Sequence, residues 1–91
     1  MNFVWDAEKA ENNFKKHQVS FEEATTVFSD PLSLTVPDPE HSIGEERYVD
    51  IGRSNNGRIL IVVYSEREGN IRIISCRRAT RRERRFYEEA E

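Results

Sequence analysis

The chain has 91 residues, a mass of 10.7 kDa and a net charge of −3, with 36% hydrophobic and 34% charged residues, which is typical of one globular domain over residues 1–91. A single cysteine, Cys76, excludes an internal disulfide and a zinc site built on paired cysteines. No apolar run approaches the roughly 20 residues of a membrane span, and residues 1–6 lack the basic and apolar parts of a signal peptide, so we expect a cytoplasmic protein without membrane contact.

The first third of the sequence predicts a short strand and two helices. Residues 3–5 are apolar and indicate a brief strand, and Asp6 then has the position of an N-cap for a helix over 7–17. Residues 20–23 (SFEE) have the form of a capping box, which predicts a second helix over 21–29. An Asp-Pro pair ends that helix.

The rest of the sequence predicts a strand meander and a final helix. Alternating or apolar segments indicate four strands: 32–36, 47–54, 58–65 and 71–77. A polar loop over 37–46 separates the first two, and an Asn-Asn-Gly turn at 55–57 predicts a hairpin. A second capping box at 80–83 opens a helix through residue 89, with Ala79 and Phe86 expected to pack inward. The order predicts an α+β domain with an antiparallel sheet, two N-terminal helices and a C-terminal helix.

Positive charge is concentrated in the second half of the sequence. Residues 1–50 contain four basic and eleven acidic residues, whereas residues 51–91 contain ten arginines and six acidic residues. Guanidinium groups present a planar fork of donors that matches phosphate oxygens, so the second half could bind an anionic partner. The alternative is that these arginines pair with the acidic residues of the first half.

Four arginines stand at or near the ends of predicted strands: Arg47, Arg53, Arg72 and Arg77. By two-residue alternation, Arg47 and Arg53 share a face with the apolar residues between them. Arg77 shares one with Ile71, Ile73 and Ser75. Arginines in such positions can line the rim of a groove. Snorkelling over the edge of the core explains them equally well.

A dense basic segment covers the start of the last helix. It includes Arg81 and Arg84, and Phe86 and Tyr87 are its aromatic neighbours. Such a segment attracts a phosphate backbone, and aromatic rings stack on bases. The alternative is a solvated helix face held by i,i+4 pairs such as Arg84 with Glu88.

His41 is the candidate for proton transfer in the predicted loop, where Glu46 is among the nearby carboxylates. An imidazole has an unperturbed pKa of about 6.5 and can exchange protons at neutral pH. The alternatives are a solvated histidine or, with less support, a metal ligand paired with Glu45. The sequence has no Gly-rich phosphate loop, Ser/His/Asp signature or nucleotide fingerprint, so we expect neither cofactor nor metal.

Several segments, taken together and in order, resemble the BrnT toxins of bacterial type II toxin–antitoxin systems. These segments are FVWD at 3–6, KHQVSFEEA at 16–24, FSDPL at 28–32, DPEHS at 38–42, EER at 45–47, IGRS at 51–54 and RIISCRRAT at 72–80, followed by Glu83, Arg84 and Tyr87. The resemblance spans nearly the whole chain. Gln18 stands where the family often has glycine, and Cys76 stands where a small residue such as alanine is common.

The resemblance implies a RelE-like fold and a metal-independent endoribonuclease that arrests translation. It also implies a BrnA-like antitoxin partner, so that operator DNA is bound only through the antitoxin. A ribonuclease of this kind uses the 2′-hydroxyl of its RNA substrate as nucleophile and needs a base, cations around the phosphate and an acid.

Within that chemistry the site residues receive hypothetical roles. Arg47, Arg53, Arg72 and Arg77 are the phosphate and transition-state ligands, with Arg47 and Arg77 as the catalytic pair. His41 or Glu46 is the base, Tyr87 stacks on a base or relays a proton, and Arg81 and Arg84 bind RNA. Two alternatives stay open: a non-catalytic nucleic-acid-binding domain, and an interaction module whose arginines dock an acidic protein.

Overall fold

The computed structural model of this chain describes residues 1–38 and 45–90. The helices are α1 (Ala7–His17), α2 (Phe21–Thr26) and α3 (Arg81–Glu89), and a 3₁₀ turn (Val27–Ser29) follows α2. The strands are β1 (Asn2–Val4), β2 (Leu34–Pro37), β3 (Arg47–Arg53), β4 (Ile59–Arg67) and β5 (Asn70–Arg78). No helix in the described part is long and apolar enough to cross a membrane.

The five strands form one mixed sheet in the order β1-β5-β4-β3-β2. Strands β2 to β5 pair antiparallel, as the meander predicts, but β1 pairs parallel to β5. The expectation of a purely antiparallel sheet is therefore wrong at this edge. The reason is topological, because the chain leaves β1 through two helices before it enters the meander at the opposite edge.

Helices α1 and α2 cover one face of the sheet, which we call the helical face. Its core contains Phe21 and Val27 from the helical side, with Leu60, Val62 and Ile73 from the strands. Burial of these side chains removes apolar surface from water, which is the main favourable term in the folding of a small domain.

Glycine at position 52 lets β3 approach the 3₁₀ turn closely. A Cβ atom at Gly52 would lie 2.7 Å from Cγ1 of Val27 and 3.0 Å from Cβ of Ser33. These distances are shorter than van der Waals contact, so any larger residue would push the 3₁₀ turn away from the sheet.

The opposite face of the sheet carries a second, smaller cluster and contacts α3. Tyr87 of α3 packs with Ile51, Ile59 and Ile61 and is 1% exposed. Phe86, which we expected to pack inward, is 54% exposed, so that prediction is wrong. The adjacent aromatic takes the inward position because it combines a buried ring with a hydroxyl that reaches a hydrogen-bond partner.

A β-bulge in β5 changes which residues of that strand share a face. Ser75 pairs with Val63 and Ile73 pairs with Tyr64, so Ile74 is the extra residue. Simple alternation predicts that Arg77 shares a face with Ile71, Ile73 and Ser75, and this prediction is confirmed for Ser75 but wrong for the two isoleucines. Those two isoleucines lie in the core of the helical face, whereas the bulge turns Arg77 to the opposite face.

Candidate active site

All four strand arginines of the sequence analysis lie on the face opposite α1 and α2. The strand register places Arg47 and Arg72 on either side of Ser65, Arg53 beside Ile59, and Arg77 beside Ile61. The three β4 residues are separated by even steps and therefore point to the same face. We call the set of Arg47, Arg53, Arg72 and Arg77 the arginine frame.

The frame outlines an uneven four-sided figure on the sheet, with its β3 side longer than its β5 side. Arg47 and Arg53 are six residues apart on β3, which is about 20 Å at the rise of a strand. Strands β3 and β5 are separated by β4 alone, so the width is about 10 Å, twice the spacing of neighbouring strands. Arg72 and Arg77 are five residues apart, an odd step that would put them on opposite faces without the bulge at Ile74.

Arg77 is held by a carboxylate from α3. Its Nη1 donates to Oε1 of Glu83 at 2.8 Å and its Nη2 donates to Oε2 at 2.9 Å, which is a bidentate ion pair. Hydrogen bonding from Arg77 lowers the pKa of Glu83 to about 2, and the pKa of Arg77 is raised by the same contact. Nη1 also donates to the carbonyl of Arg78 at 3.3 Å. Of the five guanidinium donors, the Nε–H and one Nη2–H remain for a ligand.

Arg53 is positioned by Tyr87 and Asp30. The Arg53 Cζ lies 6.0 Å from the centre of the Tyr87 ring, and the Tyr87 hydroxyl donates to Oδ2 of Asp30 at 2.6 Å. The same carboxylate oxygen accepts from the backbone N–H of Arg53 at 2.8 Å. Burial raises the pKa of Asp30, but these two hydrogen bonds and one from the N–H of Leu32 outweigh it, and the pKa is lowered overall.

This arrangement changes the role assigned to Tyr87. Its ring lies inside the cluster on α3, and its hydroxyl is bound to Asp30, so the ring offers no surface on which an RNA base could stack. Tyr87 instead docks α3 against the end of the frame formed by Arg53 and Arg77. Sequence reasoning missed Asp30 and Glu83 as the partners of this docking, although Asp30 belongs to the FSDPL segment and Glu83 to the capping box.

Of the two candidates for the general base, the structure describes Glu46. His41 lies outside the described residues. Glu46 accepts a hydrogen bond from the Tyr48 hydroxyl at 2.5 Å, and the Tyr48 ring stacks on Tyr64, which belongs to the core of the helical face. Strand alternation therefore puts Glu46 on the other side of the sheet from its neighbour Arg47.

Arg81 and Arg84 are exposed on α3, and among the described residues no ion pair joins them to a carboxylate. The alternative of an Arg84–Glu88 pair is not seen on the described helix. Within the same described ranges, two ion pairs join an acid of the first half to an arginine of the second: Glu23–Arg58 and Glu45–Arg67. Among the described residues, the pairing of the two halves that composition left open is thus found for Arg58 and Arg67.

Across residues 1–38 and 45–90, no group of three or more histidine, cysteine, aspartate or glutamate side chains could hold a metal ion. The side chains that converge on the frame are guanidinium groups, which repel cations and bind phosphate oxygens.

Comparison with known families places this chain in one of them. Residues 5–83 match a sequence model described as the ribonuclease toxin BrnT of type II toxin–antitoxin systems. The chain belongs to the BrnT family. It is thus a ribonuclease toxin of a type II system, a class that acts on RNA and is paired with an antitoxin.

A solved structure supports the BrnT fold. The ribonuclease toxin BrnT of Brucella abortus is 24% identical to this chain and superposes with a TM-score of 0.70, covering 89% of this chain and 99% of the other. At this identity the likeness concerns the fold. No curated protein sequence matches the chain.

Proposed function

We propose that this BrnT-family chain cleaves RNA internally and without a metal ion, with the scissile phosphate bound over the arginine frame. The observation that carries the proposal is the register of β3, β4 and β5, which gathers Arg47, Arg72 and Arg77 on one face. Guanidinium groups around one phosphate supply the positive charge that the crowded transition state needs.

The proposed reaction is a transfer within the RNA itself. The 2′-oxygen forms a bond to the adjacent phosphorus while the bond from phosphorus to the 5′-oxygen breaks. A base takes the proton of the 2′-hydroxyl, and an acid returns one to the departing 5′-oxygen. The products are a 2′,3′-cyclic phosphate and a 5′-hydroxyl, and no co-reactant is consumed.

The frame residues divide this work. Arg72 is exposed and lies in one row with Ser65 and Arg47, so its guanidinium is available to a phosphate at that end. Arg77 keeps two donors for a phosphate oxygen while Glu83 fixes its orientation. His41 remains the proposed base. Glu46 is the weaker candidate because it lies towards the helical face.

The remaining roles concern RNA binding and partners. Arg53, Arg81 and Arg84 bind the RNA backbone on either side of the scissile phosphate. We further propose a RelE-like relationship, a cytoplasmic location, arrest of translation as the outcome, and a BrnA-like antitoxin that neutralises the chain and alone contacts operator DNA. Co-expression of that antitoxin should relieve toxicity in bacteria.

The first test is cleavage of total bacterial RNA by the purified chain in EDTA. We expect cleavage by the wild type, and a loss of about 10²–10³-fold in rate for Arg72→Ala, which is the usual effect of removing one donor to the transition state. Arg82→Ala removes the same charge from an exposed site and should retain the wild-type rate. Cleavage that requires Mg²⁺ would contradict the metal-independent mechanism, and intact RNA with and without added ribosomes would favour a binding module.

A second pair of variants separates catalysis by Arg77 from docking of α3. Arg77→Ala and Glu83→Gln both break the same ion pair, but only the first removes the guanidinium. We expect Arg77→Ala to abolish cleavage and Glu83→Gln to retain most of it. Equal loss in both variants, at a temperature where both are folded, would show that the ion pair acts through structure alone.

A further inference from the structure

A second basic site lies beyond the Arg53 end of the frame. A cavity of about 420 Å³ is lined by Arg53, Arg58, Arg78 and Arg84, with Glu88 as its one acidic side chain. The four arginines come from the end of β3, the turn before β4, the end of β5 and α3. We call this cavity the arginine pocket, and the sequence analysis assigned no function to Arg58 or Arg78.

Two of the four guanidinium groups are fixed in place by the fold. Arg58 donates from Nε to Oε2 of Glu23 at 3.0 Å and also from Nη2 to Oε1 of the same carboxylate, which is 7% exposed. Its Nη2 further donates to the carbonyl of Gln18 at 3.3 Å. Arg53 donates from Nη1 to the carbonyl of Gly57 at 3.3 Å, and its Cζ lies 6.0 Å from the centre of the Tyr87 ring. These contacts reduce the entropy cost of binding a ligand.

The other two guanidinium groups are available to a ligand. The Arg78 and Arg84 side chains are exposed, and within the described ranges neither makes a hydrogen bond or ion pair to a carboxylate. The pocket therefore contains two guanidinium groups that the fold holds in place and two that are available. These four positive charges exceed the two negative charges of Glu23 and Glu88. An anion with several acceptor oxygens would satisfy the unused donors.

We infer that the arginine pocket binds a phosphodiester of the RNA strand, at a position away from the scissile phosphate. This inference rests on the proposed function. Continuity favours RNA over an acidic protein segment, because Arg53 belongs to both the frame and the pocket, and one strand can follow the line of guanidinium groups from Arg72 to Arg84.

The separation of the two sites sets a minimum length for the RNA. By the rise along a strand, Arg53 is about 20 Å from the row of Arg47 and Arg72, and Arg77 lies between them because its β4 partner Ile61 is two residues from Ile59, the partner of Arg53. A dinucleoside monophosphate has a single phosphate and cannot occupy both sites at once. The pocket should therefore contribute to the binding of longer strands and leave that of a dinucleotide unchanged.

The test is equilibrium binding of 2′-O-methyl RNA, which has no free 2′-hydroxyl and stays intact. The Arg78→Ala, Arg84→Ala double variant is compared with Arg82→Ala, Arg85→Ala, which removes the same charge from α3 outside the pocket. For a ten-nucleotide strand we expect the pocket variant to bind about tenfold more weakly than the wild type. The plot of log affinity against log salt concentration should also become less steep, by about 0.7 for each phosphate that the variant leaves without a guanidinium. The control should bind less than about threefold more weakly than the wild type.

Three results would overturn the inference: equal reductions in the two double variants, an equal reduction with the dinucleotide, or a pocket variant that binds RNA normally but no longer binds a polyglutamate peptide. The last result would assign the pocket to a protein partner.

Cleavage in EDTA is measured separately from binding. If the wild type cleaves RNA and the pocket variant binds as tightly as the wild type, the subsite and the RNA-binding role of Arg84 are refuted while the catalytic proposal stands. If nothing is cleaved but the pocket variant binds more weakly, the catalytic proposal alone is refuted.

Discussion

Asn13 is 8% exposed in a mainly polar helix, and its side chain attaches α1 to β5 through two hydrogen bonds and to Val19, before α2, through a third. Its amide NH₂ donates to the carbonyl of Val19 at 3.1 Å and to that of Cys76 at 2.8 Å, and its Oδ1 accepts from the N–H of Cys76 at 3.1 Å. Strand β1 pairs with β5 only over residues 70–72. The side chain of Asn13 thus makes the two hydrogen bonds to the Cys76 backbone that a neighbouring strand would otherwise make. Cys76 is one residue before Arg77.

Replacing Asn13 with alanine should be costly because it leaves three backbone groups without their partner. Each buried group that loses its hydrogen bond costs about 1–3 kcal/mol, with the lower figure where water can enter the space. We therefore expect the free energy of unfolding to fall by about 3 kcal/mol, a large part of the 5–15 kcal/mol typical of a domain. At about 4–8 °C per kcal/mol, the melting temperature should fall by about 12–24 °C.

Urea and thermal unfolding of Asn13→Ala, measured beside Asn12→Ala, test this reasoning. Asn12 is on the same helix and exposed, so the same substitution there should change stability by no more than about 0.5 kcal/mol. A destabilisation below about 1 kcal/mol for Asn13→Ala, or equal effects at the two positions, would refute the assignment of Asn13 as a strand neighbour.

Three further predictions concern stability. Gln18 is the C-cap of α1 and has a φ of 59°. Because the left-handed region costs a non-glycine residue about 1–2 kcal/mol, Gln18→Gly should raise the urea concentration at the midpoint of unfolding. A lower midpoint would contradict this prediction. Gly52→Ala should lower the free energy of unfolding by about 1–3 kcal/mol through the contact with Val27, as measured by urea titration. The lowered pKa of Glu83, about 2, means that its pairing with Arg77 stabilises the fold fully above the unfolded pKa of about 4.3 and is lost as the pH falls towards 2. The stability difference between wild type and Glu83→Gln should therefore shrink from pH 6 to pH 2, and a constant difference would argue against the pairing.

Helix boundaries are predictable where side chains close in sequence determine them. Both α1 and α3 begin and end where the cap residues predict, since Oδ1 of Asp6 accepts from the N–H of Lys9 and Thr80 forms a reciprocal capping box with Glu83. Only one of the two hydrogen bonds of the predicted capping box at 20–23 forms. Ser20 accepts from the N–H of Glu23, but the Glu23 carboxylate is bound to Arg58, a residue 35 positions away that no local pattern reveals.

The features that the sequence did not predict depend on contacts between distant segments. Nothing in a three-residue strand shows that β1 runs parallel to β5, and no residue type marks the bulge at Ile74. The candidate site is consequently predictable as a set of residues but not as a geometry. The four strand arginines do lie on one face. For Arg77 this depends on the bulge, because simple alternation along β5 would place its side chain on the helical face with Ile71 and Ile73.

The acidic net charge of the chain is compatible with RNA binding because the charges are unevenly placed. Within the described ranges, most arginines of the second half form no ion pair with an acidic residue of the first half. The frame and the pocket concentrate these arginines on one face of the sheet and at the adjoining strand ends. Electrostatic interactions between exposed charges are screened beyond about 8 Å at physiological salt, so a bound phosphate interacts mainly with the guanidinium groups beside it. Selection for this function would then act on the positions of arginines along β3, β5 and α3, which the bulge and the docking of Tyr87 control, and much less on the total charge.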